Sequence, residues 1–339
     1  MQTKELVLGI DIGGTNTLLG FVDRSGTIHR SQRISTQPQD CAETFVARLH
    51  EHIEELRAGL PFAYCLRGIG IGAPNAHALR GTVEQSVNLN WGETVDIVNL
   101  IRKDYALPVL ITNDAKAAAA GEMLFGKARG MKHFMVVTLG TGLGCGIVTE
   151  GRLLYGATGF AGELGHTRVD PNGRECRCGK RGCLETYVSA TGIVRTAIAL
   201  MAERYEDSPL RNMAIQEITS KRLFDLALAG DSIALAAFDR TARILGVKLA
   251  DAVAHVSPEA IFLSGGLAAA GELLIKPVER YMNESLFRLY SGSVKIMSSG
   301  LDPGQSAILG AAALIWNRFA SEKHPDHPLR RETDNEKLS

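Results

Sequence analysis

The sequence has little of what marks a special environment. Lysine plus arginine and aspartate plus glutamate both number 37, so the formal net charge is zero. That balance argues against a surface built for nucleic acid or another polyanion. Aromatic residues make up 6% against 45% hydrophobic, the proportions of an ordinary soluble globular protein. No apolar run approaches the length of a membrane span, so no membrane partner is expected. The opening MQTKE is polar and leads straight into an apolar run, unlike a secretory signal. Cysteine is sparse outside one stretch. Cys41, Cys65 and Cys145 lie far apart, as reduced thiols of a cytoplasmic protein do. The 339 residues suffice for two domains of ordinary size.

The remaining cysteines crowd into GELGHTRVDPNGRECRCGKRGCLE, Gly162 to Glu185. His166, Cys176, Cys178 and Cys183 are the four ligands a closed tetrahedral Zn²⁺ site needs; the alternative is a reduced, glycine-rich surface loop with three unrelated thiols. Gly173, Gly179 and Gly182 let the loop turn tightly enough to aim its sulfurs inward. Glu163 and Glu185 stand just outside the ligands. An ion that fixes the loop also fixes these two carboxylates.

Taken in order, the chain reads as α/β. Apolar runs over 5–11 and 17–23, followed after the Ser25-Gly26 turn by a third strand over 27–35, predict an antiparallel meander. Helical spacing over 41–57 places Phe45, Val46, Leu49, Ile53 and Leu56 on one side. A strand over 67–72 ends at GAPN, a helix is expected over 97–105, and a strand over 108–112 ends at Asn113-Asp114. Asp114 is placed to cap the alanine-rich helix that follows. Strands over 134–139 and 144–149 flank a glycine turn. Helices are expected over 186–204, 223–229, 231–255, 272–285 and 307–319, with strands over 260–263 and 294–297. From Ser321 the polar tail is expected to be disordered.

Two stretches echo each other. DIGGTN at 11–16 and TLGTGLG at 138–144 both set glycines between two apolar strands. A dinucleotide fingerprint needs a helix after its glycines; here a strand follows. Alone, each is a tight β-turn. Together they offer backbone N–H groups to a polyphosphate, with hydroxyls from Thr15 and Thr141. Asp11 can hold Mg²⁺ through water. Gly265-Gly266 follows another buried strand. Asp114, at a strand end and a helix start, is a candidate base for phosphoryl transfer to an alcohol, with Asn113 beside it to orient the hydroxyl. A helix cap and a base can coincide.

LGIDIGGTNTLLG, GAPN, SVNLNW, TNDAKAAA, TLGTGLGCGI, GELGH, CRCGKRGCLE and LSGG occur in this order. The chain resembles ROK kinases (repressor, open reading frame, kinase) over about residues 5–319. The resemblance implies the two-domain actin/hexokinase-like ATPase fold with a central cleft and a zinc loop. The expected domains are 1–113 plus 305–320, and 114–304. It further implies that Asp11, Gly13, Gly14 and Thr15, with Asn16 beside them, form one phosphate hairpin. Gly140, Thr141 and Gly142 form the other, and Gly265 and Gly266 contact adenosine. Many members carry lysine or an equivalent where this chain has Asn16. Asp114 corresponds to the base. Asn88, Asn113, Glu163, His166 and Glu185 correspond to sugar contacts. His166, Cys176, Cys178 and Cys183 correspond to zinc ligands, with His166 serving both zinc and sugar.

The implied activity is ATP- and Mg²⁺-dependent phosphorylation of a hexose, glucose at its 6-hydroxyl first, by a homodimer carrying structural Zn²⁺. N-acetylmannosamine, N-acetylglucosamine, allose, mannose and fructose are the alternatives. Some resembling fructokinases have histidine at the middle cysteine of the loop, so Cys178 argues against fructose. A sugar-responsive repressor of the same family carries a helix-turn-helix of some seventy residues ahead of the first strand. Here that strand begins by Leu6. A polymerising actin-like protein would leave the zinc loop unexplained.

Overall fold

The structure, a computed structural model, describes residues 3–86 and 89–322. It divides into two compact units: the residues up to Arg129 with those from Gly300, and Gly130–Ser299.

The first unit opens with β1 (Lys4–Ile12), β2 (Asn16–Asp23), β3 (Ile28–Ser35), α1 (Ala42–Ala58) and β4 (Tyr64–Gly72). Then come β5 (Ala76–His77), β6 (Thr82–Glu84), β7 (Thr94–Val95), α2 (Ile97–Arg102), β8 (Val109–Thr112) and α3 (Asp114–Phe125). The main sheet has the order β3-β2-β1-β4-β8. Its first three strands are the expected antiparallel meander, and β1, β4 and β8 run parallel. Side chains alternate along β1. Leu6, Leu8 and Ile10 share one core with Phe45, Leu49 and Ile53 of α1. Each such fully buried side chain contributes about 1.5–3 kcal/mol.

The second unit contains β9 (Phe134–Leu139), β10 (Leu143–Thr149), β11 (Arg152–Leu153), α4 (Glu185–Val188), α5 (Ala190–Glu203) and α6 (Ser220–Leu228). It continues with α7 (Ser232–Val256), β12 (Ala260–Ser264), α8 (Glu272–Ser285) and β13 (Lys295–Ser298). Its sheet, β11-β10-β9-β12-β13, repeats the scheme of the first: antiparallel at the hairpin, parallel beyond it. The echo between the two glycine turns is therefore an echo of whole sheets.

The last helix, α9 (Ser306–Glu322), belongs to the first unit. It packs on the sheet face opposite α1, where β1 and β4 present glycine. A Cβ on Gly70 would collide with the Ala311 carbonyl, and one on Gly9 would meet Ala312. Glycine at these positions lets the helix backbone lie close against the strands. α3 packs along α9 by the same means, Gly121 against Gly310 and Gly310 against Ala117. This contact assigns α3 to the first unit, whereas the sequence reading placed the boundary before it, at 113/114.

Two helix ends also differ from expectation. The run over 186–204 is interrupted at Ser189, which is extended (φ −82°, ψ 173°) and caps α5 by accepting from the Gly192 N–H. The cap of α3 is Asn113, whose Oδ1 accepts from the Lys116 N–H at 2.8 Å; Asp114 is the first helical residue. α9 runs to Glu322, so Ser321 and Glu322 are helical where a disordered tail is expected to start, and the rest of that stretch lies outside the described residues.

Candidate active site

In the first unit the expected residues gather at the C-terminal ends of β1 and β8. The β1–β2 turn closes with Gly13 N–H donating to the Asn16 carbonyl at 3.0 Å. Thr36, which the sequence reading missed, tethers this turn. Its N–H donates to the Thr15 carbonyl at 2.9 Å and its hydroxyl to the Gly13 carbonyl at 2.8 Å. That hydroxyl also lies 3.0 Å from the Thr17 hydroxyl. Thr15 and Asn16 stay exposed, with Gly14 between solvent and core. Nothing local in the sequence marks Thr36, because it reaches the turn only through the pairing of β2 with β3.

Asp11 is half-buried at the end of β1. Burial, and secondarily the charge of Asp114, push its carboxyl up from 3.8 to about 7. Like charges held close in a poorly solvated place resist joint ionisation, which is the need a divalent cation meets. Asp114 keeps solvent-accessible surface. The protein massed around it nevertheless desolvates it and raises its pKa, against the lowering effect of the Ala115 N–H and the Lys116 charge. A reachable carboxylate with elevated basicity, fixed at a helix start, suits a general base. Asn113 uses its carbonyl oxygen in the cap and keeps its amide N–H groups for a ligand. Asn88 lies outside the described residues.

In the second unit the β9–β10 turn is closed by Gly140 N–H to the Gly142 carbonyl at 3.1 Å. It is docked on the start of α5, where Ala190 N–H donates to Gly140 O at 2.8 Å and the Thr191 hydroxyl to Thr141 O at 2.9 Å. Gly265 adjoins the same turn with φ +87°; a Cβ there would fall 2.7 Å from the Leu139 carbonyl oxygen. Space is open around Gly266. The turn and the glycine pair thus form one surface.

Next to that turn stands the cysteine loop. The Cys178 and Cys183 sulfurs are 3.6 Å apart, Cys176 Sγ is 3.7 Å from His166 Nδ1, and all four ligand atoms lie within 4.8 Å of one another. The cysteines are not disulfide-bonded. A tetrahedron with Zn–S bonds of about 2.3 Å has edges of about 3.8 Å, so the donor set fits zinc. Arg174, not singled out from the sequence, ties the loop down. Its guanidinium donates to the carbonyls of Thr186 and Gly192 and to the Thr196 hydroxyl, and it stacks 4.5 Å from the Tyr187 ring.

The loop and α4 bring together the three remaining residues. His166 turns Nδ1 toward Glu185 (3.8 Å) and Nε2 toward Glu163 (4.0 Å). Glu185 also accepts from the Cys176 thiol at 2.9 Å. A Cβ on Gly142 would lie 2.7 Å from Glu185 Oε2, so the carboxylate sits directly against the glycine turn. Two carboxylates and an imidazole clustered on a pinned loop form a hydrogen-bonding set for a polyhydroxylated ligand.

A model of the ROK family matches residues 7–318. The chain belongs to the ROK family. A glucokinase of Halalkalibacterium halodurans is 35% identical over 91% of this chain and 94% of its own length. The solved structure of a ROK family glucokinase from Streptomyces griseus, in complex with glucose and AMPPNP, superposes with a TM-score of 0.76 at 31% identity. It covers 91% of this chain and 98% of its own. A ROK family transcriptional regulator superposes at 0.83 with 28% identity, covering 93% of this chain and 78% of its own. The α/β fold is the actin/hexokinase-like one. Among the described residues no helix is long and apolar enough to cross a membrane.

Proposed function

We propose that this protein is an ATP-dependent hexose kinase that phosphorylates glucose at its 6-hydroxyl. The observation that carries the reading is Asp114: reachable by solvent, raised in pKa and fixed at the start of α3 by the Asn113 cap. The glucokinase relatives support glucose over other hexoses.

In this reading the hexose hydrogen-bonds Glu163, His166 and Glu185, and Asn113 donates to a hydroxyl through its amide. Asn88 is assigned to the same set. The attacking hydroxyl gives its proton to Asp114 as its oxygen bonds the γ-phosphorus. The bond from that phosphorus to the bridging oxygen breaks, and ADP leaves with the electron pair. Backbone N–H groups of residues 14–16 and of 141–142 hold phosphate oxygens, and Gly265-Gly266 receives the adenosine. Asp11 is assigned to Mg²⁺, which when bound neutralises phosphate charge. Zinc is assigned to His166, Cys176, Cys178 and Cys183. Four protein ligands leave it no open position for a water, so its part is structural. Most of the catalysis then comes from positioning and charge neutralisation.

A cytoplasmic homodimer is the expected form. The experiment is ADP release across a panel of hexoses and N-acetylhexosamines, glucose giving the highest kcat/KM. A higher value for N-acetylmannosamine or another sugar reassigns the substrate, and release with none of them refutes the kinase. The likeness to a ROK family regulator raises one other reading, a sugar-responsive repressor, which the stronger glucokinase matches disfavour. Sugar-dependent retardation of operator DNA by a protein inert in the ADP assay would establish it.

A further inference from the structure

We propose that Asp11, Gly72 and Thr112 form a polar niche that holds an ordered water, and that this water joins the hydration shell of the divalent cation that accompanies the nucleotide. The second half rests on the kinase reading above.

The three residues stand in one row across the first sheet. Asp11 of β1 pairs with Gly72 of β4, and Gly72 pairs with Thr112 of β8. In-register neighbours point to the same face, here the face that carries α3 and α9. Val7 and Leu110, on the same alternation, pack into the core of that face. Thr112 is 1% exposed, and its hydroxyl oxygen is buried with no hydrogen-bond partner. Buried hydroxyls are nearly always paired, with protein or with ordered water. A valine would fill this position without an unpaired oxygen.

Gly72 supplies the room. A Cβ there would lie 3.1 Å from Asp11 Oδ1 and 3.5 Å from the Ala117 Cβ. The Asp11 carboxylate therefore leans over the vacant glycine position, with α3 as the roof. Thr112 lies one strand further on, about 4.8 Å away. The row sets the carboxylate on one side of the glycine position and the threonine on the other, two polar groups, the minimum a buried water needs. Asp11 alone can turn toward solvent; Thr112 gives the water a fixed second anchor and so fixes its direction.

The experiment uses the whole protein with Mn²⁺ as the probe cation. Thermal unfolding is followed without ligand in a chelator, and Mn²⁺ affinity of the AMPPNP complex is read by paramagnetic resonance. Thr112→Val is expected to lower the melting temperature and weaken Mn²⁺ binding about 5–10-fold, the scale of one lost water-mediated bond. Thr112→Ser, which keeps the hydroxyl, should stay close to wild type in both. Gly72→Ala, which puts a methyl into the niche and against Asp11 Oδ1 while leaving the Thr112 hydroxyl in place, should weaken Mn²⁺ in the same way. A Thr112→Val protein as stable as wild type or more so, with unchanged Mn²⁺ affinity, would overturn the proposal, because an orphaned hydroxyl is improved by valine. Lower stability with unchanged Mn²⁺ affinity would overturn the cation half. Wild-type protein that binds no Mn²⁺–AMPPNP would sink the kinase reading instead, while the melting temperatures still decide the water.

Discussion

Asp11 should weaken the ligand-free protein, and the effect can be measured. Its carboxyl lies at about 7 against an ordinary 3.8. Between those values the folded chain keeps a proton that the unfolded chain has released. Stability from this group is therefore greatest below pH 4, falls as pH rises through the window, and is at its lowest above 7. At ~1.4 kcal/mol per pH unit the full displacement corresponds to ~4 kcal/mol. Solvent reaches the half-buried carboxylate, so roughly 1–3 kcal/mol is the realistic range. Asp11→Asn keeps the shape and removes the charge. It should raise the ligand-free melting temperature at pH 8 by about 2–8 °C, for units of this size, and by almost nothing at pH 4. Turnover should fall on the order of 10²-fold. Scanning calorimetry at the two pH values, with and without Mg²⁺ and ATP, checks both halves. Wild type should gain more from the ligand at pH 8 than the variant does. An equal gain from the substitution at pH 4 and pH 8, or none at pH 8, would refute the reasoning.

Asp114→Asn should retain nucleotide and glucose binding by calorimetric titration and lose ~10²-fold or more in kcat; wild-type turnover would assign the base elsewhere. Because its pKa is raised, the acid limb of kcat/KM should lie above the ordinary carboxylate range, and activity should fall as pH drops through it. Cys178→Ser should lower zinc content by elemental analysis and weaken glucose more than ATP, since the loop aims Glu163 and Glu185. Full glucose affinity in a folded, zinc-free protein would break that link. Gly265→Ala forces a side chain into φ +87° and against the Leu139 carbonyl, a strain of about 1–3 kcal/mol. It should raise the KM for ATP and leave that for glucose unchanged; the reverse pattern would remove Gly265 from the nucleotide surface.

What the sequence makes legible is what short stretches determine. Strand, glycine turn and returning strand lie within twenty residues in each unit, so both turns can be read from periodicity and glycine alone. The cysteine loop is legible for the same reason: its cysteines are close in the chain and are of one chemical type. What escapes depends on packing between distant segments. α3 belongs to the first unit because Gly121 meets Gly310, and neither glycine announces the other. The apolar period runs through Ser189 without interruption, so the break before α5 is visible only as the cap it makes to Gly192. Asn113 and Asp114 are both good caps by type. One residue of register decides between them, and that choice gives the cap to the asparagine and makes the aspartate the first helical residue. Thr112 is the sharpest case. Read along β8 it is a threonine ending an apolar strand. Only the pairing of three strands sets it in line with Asp11 across a glycine. A residue whose part is to hold a neighbour's water leaves its trace in register, and register is a property of the sheet rather than of any one strand.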